Sequence, residues 1–367
     1  MRACARSLVA ARALLLCLWV AALCPNPSAA AEVQLAATPD CQLTLEGPIK
    51  AGDAEKLASA FEAIPQDNGG RTVTLCLSSP GGSYDEGLRM IRLLLQHGNV
   101  ETIVDAGAQC YSACAFLFLA GNQPLSEDGE LGPLRFLDVR GTLGFHAPYL
   151  KTDAAAASPE ETAESFRQGV IAIAKMLEID RRTLFPQGLL AKALQVGPDY
   201  LLFIDTVEKA GVWSIGLKGY KPPVALSDAM LDQACRNKDM WTSFSHTFLG
   251  RPANDPDESH GLRESDFPEI RGSHDPVHLK NGKYRAILDL FGHEATDLCI
   301  ADVYSDAGNG LFLGLGLMPT EEKVPPADEL LHKVKNGASG LVPFEVPGDP
   351  LWLVYPPETR LESLAMP

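Results

Sequence analysis

Residues 72–91 read TVTLCLSSPGGSYDEGLRMI, and this stretch decides the fold. Thr72–Leu77 is rich in β-favouring residues and predicts a strand. Ser79-Pro80-Gly81-Gly82 is turn chemistry, where two glycines allow a sharp backbone reversal. Ser83 predicts a helix cap, with Glu86 three residues on in a capping-box arrangement. Leu88, Ile91 and Leu95 recur at helical spacing and predict a buried stripe, and Gly98 ends the helix. A strand, a glycine turn and a capped helix in succession are the first part of a βαβ unit.

The same alternation continues on both sides. Upstream, Cys41–Leu45 predicts a strand. Asp53 predicts the cap of a helix whose apolar positions are Leu57, Ala60, Phe61 and Ile64, stopped by Pro65 and Asn68-Gly69-Gly70. Downstream, Val100–Asp105 predicts a strand, and Ala113–Ala120, apolar on every side, predicts a buried helix ended by Gly121. Residues 122–141 form a connection without a defined shape, and Thr142–Phe145 predicts a strand leading to His146. Ser158-Pro159-Glu160-Glu161 predicts a helix start. That helix runs to about Leu177 with Phe166, Val170, Ile173 and Leu177 inward. A further helix covers roughly 188–196, and Tyr200–Phe203 and Trp213–Ile215 predict short strands around a helix near Val207. The expected fold class over 41–220 is therefore α/β, a mainly parallel sheet joined by βαβ crossovers.

After Pro222-Pro223 the character changes. Residues 250–280 are rich in Pro, Gly, Asp and His and read as loop, whereas Lys283–Phe291, Leu298–Tyr304 and Leu311–Leu317 read as strands. Residues 224–367 are expected to form a smaller, β-containing domain. His274, Asp275 and His278 resemble a ligand cluster but lack a helical scaffold, so no metal or other cofactor is expected.

Composition narrows the function. A chain of 367 residues that is 46% hydrophobic and 21% charged is a folded protein. Its 31 basic and 47 acidic residues give a net charge of −16, without the basic footprint a nucleic-acid partner requires. Residues 1–31 hold Arg2, Arg6 and Arg12, then an apolar run from Ala13 to Cys24, then Ala29-Ala30-Ala31. That is the plan of a secretory signal with cleavage after Ala31. The run is shorter than the roughly 20 apolar residues a membrane span needs, so no transmembrane helix is expected after signal removal.

Of nine cysteines, Cys4, Cys17 and Cys24 would leave with the signal. The six that remain favour disulfides in an exported chain. The simplest scheme keeps each half self-contained and pairs Cys235 with Cys299. Among Cys41, Cys76, Cys110 and Cys114 three connectivities stay open.

Three short motifs carry the chemistry. The amides of the Gly81-Gly82 turn, beside a helix start, suit a developing oxyanion, or they belong to a plain βα turn. Ser112 lies at a strand-to-helix junction and reads as a nucleophile or as a helix cap. His146, at a strand end after Gly144, reads as a general base or as a structural histidine.

Taken together, SPGG at 79–82, SACAFLFLAG at 112–121 and GFHAP at 144–148 resemble the ClpP peptidase family of the ClpP/crotonase superfamily. The resemblance covers about 41–219. It implies Ser112 as nucleophile, His146 as general base, and the amides of Gly82 and Ala113 as the oxyanion hole. The family's aspartate falls near Gln195, which is not a carboxylate, and Asp199 is the closest acid. The stretch near Asn122–Leu137 is an insertion, and 224–367 has no counterpart in the peptidase. The resemblance also implies ring-forming homo-oligomers. The reading that follows is an exported, ATP-independent serine hydrolase acting on peptides, placed in a bacterial periplasm. Two alternatives stand beside it: a catalytically inactive scaffold or binding protein of the cell envelope, and acyl-CoA chemistry of the crotonase type.

Overall fold

Leu43, Leu45, Leu75, Leu77, Val100 and Val104 are all buried, and the strands that carry them lie side by side. The computed structural model describes residues 31–35, 40–64, 72–125, 130–149, 158–179, 184–197, 199–244, 269–273, 277–278, 284–291, 296–306, 310–320 and 349–366. Residues 1–30 of the expected signal, together with His274 and Asp275, lie outside the described residues.

In chain order the first elements are β1 (Glu32–Leu35), β2 (Leu43–Glu46), α1 (Asp53–Glu62), β3 (Val73–Ser78), α2 (Tyr84–His97) and β4 (Val100–Val104). They are followed by β5 (Gln109–Tyr111), α3 (Ala113–Leu119), β6 (Asn122–Pro124), β7 (Leu131–Pro133), β8 (Arg135–Asp138) and β9 (Thr142–Phe145). Then come α4 (Pro159–Leu177), α5 (Gln187–Gln195), β10 (Leu202–Phe203), α6 (Val207–Val212) and β11 (Gly216–Lys218). Strands β2, β3, β4, β8 and β11 pair in parallel, β1 adds an antiparallel edge, and β6 and β7 join antiparallel beyond β4. The fold is thus mixed α/β with a mainly parallel sheet. A second sheet, β10-β9-β5, continues from the first: Ser79 pairs with Cys110 where β3 ends.

Several local expectations change form. Gly52, not Asp53, occupies the N-cap of α1, with φ 96°. The cap is supplied from α2, where the buried Glu86 carboxylate accepts the amides of Gly52 (3.1 Å) and Ala54 (2.6 Å). Ser83 does cap α2, accepting the Glu86 amide at 3.4 Å. The reciprocal half of the capping box is missing because Glu86 is turned toward α1. Trp213–Ile215 is a turn with Ser214 at φ 54°, and the strand is β11, beginning at Gly216. The largest change is in α4. Phe166 is 76% exposed and Val170 50% exposed, so the first two positions of the apolar stripe expected to face inward face out, while Ile173 is half-buried. Contacts from α2 explain the rotation: the Tyr84 hydroxyl donates to Ala172 O (3.0 Å), and Lys175 pairs with Asp85 (2.8 Å).

Helix α3 is buried at every position, as its all-apolar sequence requires. Each large side chain it buries contributes about 1.5–3 kcal/mol. Its C-terminal end is finished by Arg135, only 2% exposed. The guanidinium donates to Leu119 O (2.8 Å), Leu184 O (2.5 Å), Trp213 O (2.7 Å) and Ser214 O (3.1 Å). Burial pulls its pKa down to about 9, still well above neutral pH. One side chain thereby ties the end of α3 to two loops whose carbonyls would otherwise be orphaned.

Beyond residue 223, α7 (Asp228–Phe244) precedes β12 (Glu269–Ser273), β13 (Val277–His278), β14 (Tyr284–Phe291), β15 (Thr296–Asp306) and β16 (Gly310–Thr320). These strands form an antiparallel sheet in the order β12-β14-β15-β16, with β13 on β14. Cys235 on α7 is bonded to Cys299 on β15. Two shorter bridges, Cys41–Cys76 and Cys110–Cys114, select one of the three connectivities open among those four cysteines. Residues 349–366 then return to the first sheet's domain. Asn237 Nδ2 holds the Leu353 and Tyr355 carbonyls (2.7 and 2.9 Å), Trp241 stacks on Trp352, and Thr206 bridges to Arg360.

Candidate active site

Strand β5 and strand β9 run parallel, with Tyr111 opposite Gly144. Ser112 follows β5 and His146 follows β9, so both leave the small sheet at the same end. The Ser112 amide donates to Gly144 O at 3.0 Å. Ser112 has φ 56° and ψ −123°, and its side chain makes no cap hydrogen bond to α3. That conformation is strained for a residue with a Cβ, typically by about 1–3 kcal/mol.

The Ser79–Gly82 turn packs directly on this corner. Gly81 has φ 90°, and a Cβ there would sit 2.6 Å from Tyr111 O and 2.7 Å from Ser112 Cβ. Its amide donates to Ser79 Oγ (3.1 Å) and its carbonyl accepts from Ile49 (2.8 Å). Gly82 bridges in parallel to Ile49, whose carbonyl would overlap any Cβ at that position. Small residues are therefore required twice in succession by close backbone approach. Gly87 on α2 lies against Ala113 in the same manner, with an added Cβ only 3.3 Å from Ala113 Cβ.

His146 is 7% exposed. Its Nδ1 lies 2.7 Å from the Ala147 carbonyl, and its ring meets Tyr149 with centroids 5.3 Å apart. The Ala147 amide donates to Val196 O at 3.1 Å, which fixes the segment just after α5 beside the histidine. Asp199 is exposed in the turn that follows, and Gln195 is exposed at the end of α5. Among the described residues no carboxylate hydrogen-bonds to His146. The Nδ1 side of His146, where the resemblance implies an acid such as Asp199, meets a main-chain oxygen. That partner has no side-chain signature, so sequence reasoning had no means to find it.

Beside His146 a cleft opens between the start of α2 and one face of α4. Tyr84, Pro148, Tyr149, Gly169, Ile171 and Ala172 line it. The Asp85–Lys175 ion pair stands at its rim. Burial, with Asp85 nearby, pushes the Tyr84 phenol far up, so it stays protonated and donates to Ala172. Cys41, Cys76 and Asp105 lie close enough to ligate an ion, but the two cysteines are joined to each other. No helix among the described residues is long and apolar enough to cross a membrane.

No protein-family model matches this chain, and no curated protein matches it.

Proposed function

We propose that the chain is an exported, ATP-independent serine hydrolase of ClpP-like fold that acts on peptides. The observation that carries this reading is Ser112: a serine in a strained strand-to-helix corner, its hydroxyl withheld from the helix it precedes, at the same end of the small sheet as a buried histidine. A strained corner of this kind keeps a hydroxyl clear of its own backbone and open to a substrate carbonyl.

In the proposed reaction Ser112 Oγ attacks the carbonyl carbon, and His146 Nε2 takes the hydroxyl proton. The contact between Nδ1 and the Ala147 carbonyl supports this role, because a proton on Nδ1 leaves Nε2 as the acceptor. The oxyanion that forms is received by the amides of Gly82 and Ala113, which bond to nothing else among the described residues. His146 then returns its proton to the departing amine, and water releases the acyl group from Ser112. In this reading the cleft lined by Tyr84 and Tyr149 takes the side chain next to the cleaved bond. The three disulfides favour an oxidising compartment, here a periplasm. Lacking an ATP-driven unfoldase there, the enzyme works on segments that are already extended.

A second reading, a binding protein or scaffold of the envelope without turnover, is favoured by His146 having no carboxylate partner among the described residues. Labelling with a fluorophosphonate separates the two. Covalent modification of Ser112 in the wild type, abolished in Ser112→Ala, supports the hydrolase. An unlabelled wild type supports the scaffold.

A further inference from the structure

Among the described residues five helices begin at a serine or threonine, and they do not begin alike. Ser83 has φ −60° and ψ 115° and accepts the Glu86 amide. Thr206 has φ −129° and ψ 157° and accepts the Lys209 amide. Ser158 and Ser227 likewise accept the amides of Glu161 (3.2 Å) and Met230 (3.4 Å), so all four are ordinary N-caps. Ser112 has φ 56° and ψ −123° and caps nothing. The feature that sets Ser112 apart is covalent. It lies midway between Cys110 and Cys114, which are four residues apart in sequence and joined by a disulfide, with Cα atoms 5.2 Å apart.

A helix-preceding serine free to relax gains a hydrogen bond by turning its hydroxyl back onto the helix, and it loses backbone strain in doing so. The same turn would take that hydroxyl away from a substrate and re-aim the Ala113 amide. We propose that the Cys110–Cys114 disulfide is a positioning pair that holds Ser112 as a nucleophile rather than a cap, so that hydrolysis begins only once these two thiols are oxidised. This inference rests on the hydrolase reading above. The oxidation balances: two thiols give two electrons and two protons to the disulfide of an exchange partner. One S–S bond forms in this chain and one breaks in the partner, which leaves as a dithiol. In a reducing compartment the pair stays as thiols and Ser112 relaxes into the cap. Both cysteines are fully buried, so the bond is set during oxidative folding and is shielded from reductants afterwards.

The test compares fluorophosphonate labelling rates of the full chain recovered from an oxidising compartment. It uses wild type, Cys110→Ala/Cys114→Ala and, as a control, Cys41→Ala/Cys76→Ala. The expected result is a fall of about 100-fold for the first variant, the scale of a small misplacement of a reacting group. Its unfolding should stay cooperative, and the control should keep the wild-type rate. Cys110→Ala and Cys114→Ala alone should each lose as much as the pair, which general loosening of the core would not produce. Equal labelling of wild type and the double variant overturns the proposal while leaving the hydrolase intact. A wild type that takes no label overturns the hydrolase reading itself, and this one with it. Should the double variant fail to fold, wild type caught part-way through oxidative refolding is alkylated, labelled and weighed intact. Label and alkylated Cys110/Cys114 should never share a molecule, and finding them together sinks the idea.

Discussion

The Ser112 amide donates to the Gly144 carbonyl at 3.0 Å, and this bond joins the two motifs that the chain keeps far apart. Gly144 is two residues before His146, so the strand ends that carry the serine and the histidine are locked in one register. The pairing brings Ser112 and His146, the nucleophile and base of the proposed reaction, to one sheet end. The register is set by β5 and β9, which continue from β3 through the Ser79–Cys110 bridge.

Ser112→Ala is expected to abolish fluorophosphonate labelling and peptide turnover, and His146→Ala to lower turnover by about 10⁴-fold or more, as removal of such partners does elsewhere. Circular dichroism should show both variants folded. Turnover surviving in Ser112→Ala would move the chemistry to another residue.

Asp199→Asn is expected to leave the labelling rate unchanged. Asp199 is exposed, while Nδ1 of His146 is already held by the Ala147 carbonyl. A large drop in kcat would instead show that the acid reaches His146 when substrate binds.

Gly81→Ala is expected to cost activity out of proportion to stability. Its new methyl would meet Tyr111 O and Ser112 Cβ, and alanine at φ 90° is strained by roughly 1–3 kcal/mol. Labelling rate and melting temperature measured on the same sample decide this, and a fully active variant would place the Ser79–Gly82 turn outside the site.

Arg135→Lys is expected to destabilise the chain by about 2–4 kcal/mol, because an ammonium cannot reach four carbonyls fanned around a planar guanidinium. Urea unfolding monitored by tryptophan fluorescence measures it. A near-wild-type midpoint would show that water replaces the lost donors.

Cys235→Ala/Cys299→Ala is expected to lower stability by ~2–4 kcal/mol through the loss of one closed loop. The Ser112 corner, held by its own bridge, should still label. Non-reducing peptide mapping of the wild type should recover Cys235 linked to Cys299.

What the sequence determined by itself was local. The run from Thr72 to Ile91 specified strand, turn and capped helix, because alternation, glycine pairs and a serine cap act over neighbouring residues. The all-apolar Ala113–Leu119 could only be buried. The Cys235–Cys299 bridge was also legible, since few partners were on offer. The tertiary structure decided whatever depended on a distant neighbour. Glu86 left its own capping box for α1 because Gly52 and Ala54 each offered an unpaired amide. The stripe of Phe166 and Val170 turned outward because Tyr84 and Asp85 anchored the opposite face of α4. Helix α7 escaped the sequence reading, its pattern too mixed to stand out until the β14–β16 sheet and the returning tail packed against it. The partner of His146 was hidden for a different reason. It is a carbonyl, present at every residue, and only the path of the folded backbone selects which one lies 2.7 Å from the ring.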